Sequence, residues 1–199
     1  MNKADKLRDL EKEIAADKTL PLQESNLVFG EGNINCDVLF IGEAPGAREN
    51  ELKRPFVGRS GQLLDKNLEK IGWRREDVYI TNIVKRRPPE NRDPLPVEIA
   101  AYKPYLTRQI KIIRPKIIVT LGRFSTNYFL PKAKISRDQG KTFSAGGGSS
   151  FGGKMGEYLL MPMFHPAAAL RGTVAMKEFE KTFRNLPKLA GKADKLLKK

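Results

Sequence analysis

Four short apolar runs, residues 38–41, 78–84, 117–121 and 158–164, constrain this chain more than any other feature of its sequence. Each is rich in β-branched or aromatic residues and is bounded by turn residues, the pattern of a strand buried on both faces. Between the runs lie stretches of helical periodicity. Residues 62–71 place Leu63, Leu64, Leu68 and Ile71 on one stripe, residues 96–113 open on a proline and stop before Arg114-Pro115, and residues 123–130 form a shorter segment. Strands alternating with helices at this spacing predict an α/β fold with a mostly parallel four-stranded sheet covered on both faces. Pro104 is expected to kink or divide the second helix.

The flanks follow the same logic. Leu7, Leu10 and Ile14 recur at helical spacing, so residues 1–26 read as a docking helix and loop, and residues 172–199 as a basic helix. The stretch 145–153, with five glycines, reads as a mobile loop before the last strand. With 199 residues, 40% of them hydrophobic, the chain suits one core, since cores divide only beyond roughly 250 residues.

Charge narrows the partner. The 37 Lys and Arg outnumber the 23 Asp and Glu, leaving a net charge of +14, which calls for an anionic partner. The excess sits in residues 84–116 and 171–199, each with nine basic against three acidic side chains, which read either as phosphate-facing segments or as solvated faces. No apolar run approaches the roughly 18 residues of a membrane helix, and residues 1–12 alternate charges in place of a secretory core. A cytoplasmic, nucleoid-associated protein with no membrane contact is expected. Cys36 is the one cysteine and His165 the one histidine, so an intramolecular disulfide, a CxxC pair and a metal centre built from several thiolates are excluded, and no metal site is expected.

In an open parallel sheet, ligands bind outside the carboxyl ends of the strands. The first run leads into Gly42-Glu43-Ala44-Pro45-Gly46, the second ends at Thr81-Asn82 and continues to Lys85, the third ends at Gly122, and the fourth at His165-Pro166. Glu43, Asn82 and His165 are therefore expected in one crevice. The glycine turn lacks the Lys-Ser/Thr of a phosphate-binding loop and does not fit G-x-G-x-x-G. Its glycines permit close backbone approach and Pro45 stiffens it, as in either a ligand site or an ordinary tight turn. Asn82 offers adjacent donor and acceptor groups suited to a pyrimidine edge, or it caps a turn. Phe56 reads as a stacking platform or a core aromatic, and His165 as a donor to a developing anion or a structural residue.

Taken together, Gly42-Glu43-Ala44-Pro45-Gly46, Arg54-Pro55-Phe56-Val57-Gly58-Arg59-Ser60-Gly61-Gln62-Leu63-Leu64, Tyr79-Ile80-Thr81-Asn82-Ile83-Val84-Lys85, Arg87-Pro88-Pro89-Glu90-Asn91-Arg92 and His165-Pro166 resemble the family 4 uracil-DNA glycosylases of archaea and bacteria, in order and in spacing, over residues 27–171. The resemblance implies a three-layer α/β/α fold and hydrolysis of the bond between uracil and deoxyribose in DNA, in base excision repair, after the base has flipped out of the helix. It makes Glu43 the group that positions water, Phe56 the ring stacked on uracil beside Gly42, Asn82 the amide that reads its edge, and His165 the residue beside its O2. Ala44, Pro45, Gly46, Arg59, Ser60, Lys85, Asn91, Pro166 and Arg171 are expected at the DNA, with the segment 166–171 entering the minor groove. No lysine is placed to form a Schiff base, so a monofunctional enzyme acting as a monomer is implied, and a sliding-clamp contact is left open.

One departure stands out. The family's [4Fe–4S] cluster needs four cysteines, and the corresponding positions here read Ala15, Lys18, Arg86 and Tyr102, so no such cofactor is expected and packing of Tyr102 against the N-terminal segment is expected in its stead. Two other readings compete: a same-fold enzyme choosing hypoxanthine or xanthine, and a non-catalytic protein that binds DNA lesions. Cys36 reads as a small buried residue and Trp73 as packing.

Overall fold

The computed structural model describes residues 1–145 and 158–198. Its elements run α1 (Lys3–Ala16), β1 (Glu31–Gly32), β2 (Val38–Gly42), α2 (Ala47–Leu52), α3 (Arg59–Lys70), β3 (Tyr79–Asn82), α4 (Pro96–Ile113), β4 (Ile117–Leu121), α5 (Arg123–Phe129), α6 (Ile135–Asp138), β5 (Phe143–Ala145), β6 (Tyr158–Met163), α7 (Pro166–Ala169), α8 (Thr173–Ala190) and α9 (Ala193–Leu197). The four expected strands are present and parallel to one another, in the order β3-β2-β4-β6. Among the described residues the sheet nevertheless has six strands, because β1 and β5 add an antiparallel edge at each side. These strands are two and three residues long, too short for any periodicity to announce them.

Every residue of β2, β3 and β4 is buried, as continuous apolar runs require when both faces are covered. Alternation along the strands divides the core. Leu39, Ile41, Ile118 and Leu160 face one cluster with Leu7, Leu10 and Ile14 of α1 and Tyr102, Leu106 and Ile113 of α4. Val38, Phe40, Val119, Leu159 and Met161 face the other, with Leu64 and Leu68 of α3 and Phe179, Phe183 and Leu186 of α8. These are the three layers, helix, sheet and helix. Trp73 is partly buried against the second cluster, and Cys36 is buried in the first with its thiol pushed up to about 11 by desolvation.

Three expectations need correction. Pro104 does not divide α4, which is continuous from Pro96 to Ile113. The missing N–H costs one ladder bond, and burial of Tyr102, Leu106, Ile110 and Ile113 on either side of it holds the helix together. The basic C-terminal helix is two helices, α8 and α9, with Gly191 and Lys192 between them. Lys85 does not face DNA: it is wholly buried, its Nζ donating to Thr81 Oγ1 (distance 2.5 Å), Gln109 Oε1 (2.6 Å) and the Phe29 carbonyl (3.3 Å). Desolvation drives its pKa well below that of a free amine. Beyond Ala145, the glycine-rich stretch lies outside the described residues.

Candidate active site

The parallel strands all deliver their carboxyl ends to one edge. Gly42 pairs with Asn82, Leu121 with Met163, and the Gly122 N–H donates to the Met163 carbonyl (2.8 Å). Because β3 lies on one side of β2 and β4 on the other, this edge is a topological switch point, where loops diverge and leave a crevice. Beyond β3 the chain stays in register with the turn after β2, the Ile83 and Val84 N–H groups donating to the Gly42 and Glu43 carbonyls (both 3.0 Å). That fixes Glu43 at the crevice.

The crevice floor is made by Gly42, Phe56 and Asn82. A Cβ on Gly42 would stand 2.4 Å from Asn82 Oδ1 and 2.5 Å from Phe56 Cζ, so the amide and the ring meet over a backbone that has no side chain of its own. Asn82 is buried and its Oδ1 has no hydrogen-bond partner. An unpaired buried amide oxygen costs about 1–3 kcal/mol, a deficit that a ligand with a matching N–H would remove. Phe56 is a non-glycine residue in left-handed backbone (φ 51°), and is held there from outside: Arg75 donates to its carbonyl (3.0 Å) and to that of Pro55 while pairing with Asp65 (2.8 Å) and Glu31 (2.5 Å). Arg75 was not singled out by sequence reasoning, because its partners lie up to 44 residues away and no local pattern marks them.

His165 closes the opposite wall, its ring centroid 5.8 Å from that of Phe56. Its Nδ1 accepts the Ala167 N–H (3.1 Å), which leaves the ring proton on Nε2 as a donor. Burial, aided by Arg171 and opposed by Glu49, pushes its pKa down to about 4, so the ring is neutral at physiological pH. Glu43, half-buried, is pushed up to about 7 by desolvation first and by Asp93 second, against the pull of Arg123. Asp93 and Arg123 pair with each other (2.5 Å) and so tie the loop after β3 to the start of α5.

The remaining expected residues arrange themselves around this centre. Gly46 and Asn91 are neighbours, a Cβ on Gly46 lying 4.0 Å from Asn91 Oδ1, which accepts from Arg87 Nε (2.7 Å). Arg59 and Arg171 are exposed and Ser60 half-buried, whereas Pro45 and Pro166 are buried and stiffen the backbone without offering a contact surface, and Ala44 packs on the core. Of the four positions that the resemblance assigns to cluster ligands, Ala15 and Lys18 are exposed, Tyr102 donates to the Pro21 carbonyl (2.8 Å), Arg86 donates to that of Ser25, and the Arg86 guanidinium lies against the Tyr102 hydroxyl. None of the four supplies a thiolate, and the buried Arg86 and Tyr102 occupy two of the places, so these residues do not fit an iron–sulfur cluster. Among the described residues no group of three or more His, Cys, Asp or Glu side chains could hold a metal ion.

A pocket with an unpaired buried amide, an aromatic wall, a neutral imidazole donor and a carboxylate is equipped to recognise a heterocycle and hydrolyse its bond to a sugar. The model of the Uracil DNA glycosylase superfamily matches residues 29–186, a span that contains the whole crevice. The chain belongs to that superfamily. Its sequence is 42% identical to the Type-4 uracil-DNA glycosylase of Sulfurisphaera tokodaii over 94% of this chain and 86% of that protein. Identity to the Type-4 uracil-DNA glycosylase of Saccharolobus solfataricus is 47% over 81% and 74% of the two chains, and to that of Archaeoglobus fulgidus 40% over 94% of each. The six-stranded sheet with its mostly parallel core is consistent with the fold of that superfamily. In this member of the superfamily no helix among the described residues is long and apolar enough to cross a membrane.

Proposed function

We propose that this chain is a monofunctional uracil-DNA glycosylase that hydrolyses the N-glycosidic bond of flipped-out deoxyuridine, and the observation that carries the reading is the unpaired Asn82 Oδ1 beneath Phe56. Uracil carries an N–H flanked by carbonyls, the complement of a carboxamide. Extruding the base costs a few kcal/mol, and stacking on Phe56 returns about 1–3 kcal/mol of that. As the bond breaks, negative charge develops on uracil and positive character on the sugar. The Nε2–H of neutral His165 is a donor toward the uracil O2, and ionised Glu43 orients the attacking water and faces the cationic sugar. Arg59, Ser60, Gly46 and Asn91 border the strand. Exposed Leu170 (40%) and Arg171 on the segment after His165 face the minor groove.

Release of uracil from U:G, U:A and single-stranded oligonucleotides, read by alkaline cleavage of the abasic product, tests the reading. Excision is expected, and Asn82→Ala should lower kcat/KM about 30-fold, the worth of two hydrogen bonds of about 1 kcal/mol each. Intact uracil substrates with release of hypoxanthine or xanthine would assign another base, and no release at all would leave a lesion-binding protein.

The enzyme works without an iron–sulfur cluster, the Arg86–Tyr102 contact fastening the segment around Pro21 and Ser25 to α4 in its place. Anaerobically purified protein is expected to contain no stoichiometric iron or acid-labile sulfide while retaining excision. Stoichiometric iron and sulfide would refute this.

A further inference from the structure

Glu49 stands in the first turn of α2, three residues after Gly46, and its carboxylate reaches two parts of the crevice. Oε1 accepts the N–H groups of Val57 (3.0 Å) and Gly58 (2.8 Å), the two residues that follow Phe56. Oε2 lies 2.8 Å from where a Cβ on Gly46 would be, flush against the end of the Glu43 turn. The backbone joins the same knot, the Arg54 N–H donating to the Glu49 carbonyl (3.2 Å). Glu49 forms no ion pair among the described residues, so its acceptor capacity is directed at these amides. Left-handed backbone at a residue as bulky as Phe56 persists only when the surroundings over-determine it, and Arg75 grips only the carbonyl side. Among the described residues the Val57 and Gly58 amides have no other hydrogen-bond partner.

We propose that Glu49 is a positioning residue for base capture: by clamping the Val57 and Gly58 amides to the Gly46 turn, it holds the Phe56 ring over the pocket. This rests on the uracil reading of the same site. Because a stacked base is bound through the ring and broken by other groups, the clamp belongs to capture and not to bond cleavage. The two amides stand immediately before α3, so a purely structural role in placing the start of that helix would use the same bonds. The readouts must therefore separate the two.

Single-turnover excision against enzyme concentration gives a half-saturation concentration and a limiting rate for the native protein, Glu49→Ala and Glu49→Gln, with inhibition by free uracil measured beside them. Glu49→Ala should raise the half-saturation concentration and the uracil inhibition constant about tenfold and leave the limiting rate within about threefold. Glu49→Gln keeps a carbonyl oxygen for both amides and should stay close to native. Unchanged half-saturation in Glu49→Ala, a loss confined to the limiting rate, or a Gln variant as impaired as Ala would each overturn the proposal. Hydrogen exchange of residues 53–60 reads the clamp without any substrate: exchange should quicken in Glu49→Ala and not in Glu49→Gln, and unchanged exchange also overturns it. If the native protein released no uracil, the functional reading would fail while the exchange experiment still decided the clamp.

Discussion

Gly42→Ala should fold normally and lose uracil excision by about a thousandfold. The new methyl would lie 2.4 Å from Asn82 Oδ1 and 2.5 and 2.7 Å from Phe56 Cζ and Cε2, contacts that no real Cβ sustains. These atoms are the far ends of two side chains, so they can swing aside with little effect on the sheet pairing between Gly42 and Asn82. Swinging aside is what destroys the pocket. The amide loses its line to the base edge and the ring its stacking plane, each worth about 1–3 kcal/mol, and about 4 kcal/mol together is close to a factor of a thousand. A melting temperature within a few degrees of native, with kcat/KM reduced to this extent, is the expected pair of results. A variant that excises uracil at the native rate would show that the base binds elsewhere.

Excision should also fall about tenfold for each pH unit below about 7, reaching about a hundredfold loss at pH 5. The cause is Glu43, whose carboxyl burial and Asp93 push up to about 7, so that the water-orienting carboxylate is lost as pH drops through that value and fully present above it. His165 adds no inflection between pH 5 and 8, because it is already neutral there. Asp93→Asn removes a negative neighbour and should move the inflection down. Arg123→Ala removes a positive one and should move it up. Glu43→Gln should leave a low, flat profile. The measurement is the limiting single-turnover rate at constant ionic strength, since binding to DNA weakens steeply with salt. A native profile flat from pH 5 to 8 would exclude an ionising Glu43 from the rate.

Much of this site was legible because its residues occupy strand exits. Apolar runs of strand length mark where each strand stops, and parallel strands stop on one edge, so Glu43, Asn82 and His165 followed from position. Lys85, expected at the DNA from the family resemblance, is the exception. It stands three residues beyond the end of β3 in a basic stretch, and only the packed structure shows its amine turned inward to Thr81, Gln109 and Phe29. Arg75 and Glu49 carried no signal, since an arginine among helix-end residues and a glutamate on an exposed-looking helix are ordinary surface residues until the chain folds.

By itself, the sequence determined the layered architecture, the parallel core, the direction each strand presents and the presence of a single cysteine, because these depend on the period of apolar residues and on residue identity. The tertiary structure alone decided the edge strands, the burial of Lys85, the tautomer of His165, the raised pKa of Glu43 and the grip on Phe56. Each of those depends on groups far apart in the chain meeting in a water-poor place, where an unpaired amide or a buried carboxyl acquires properties that its neighbours in sequence do not confer.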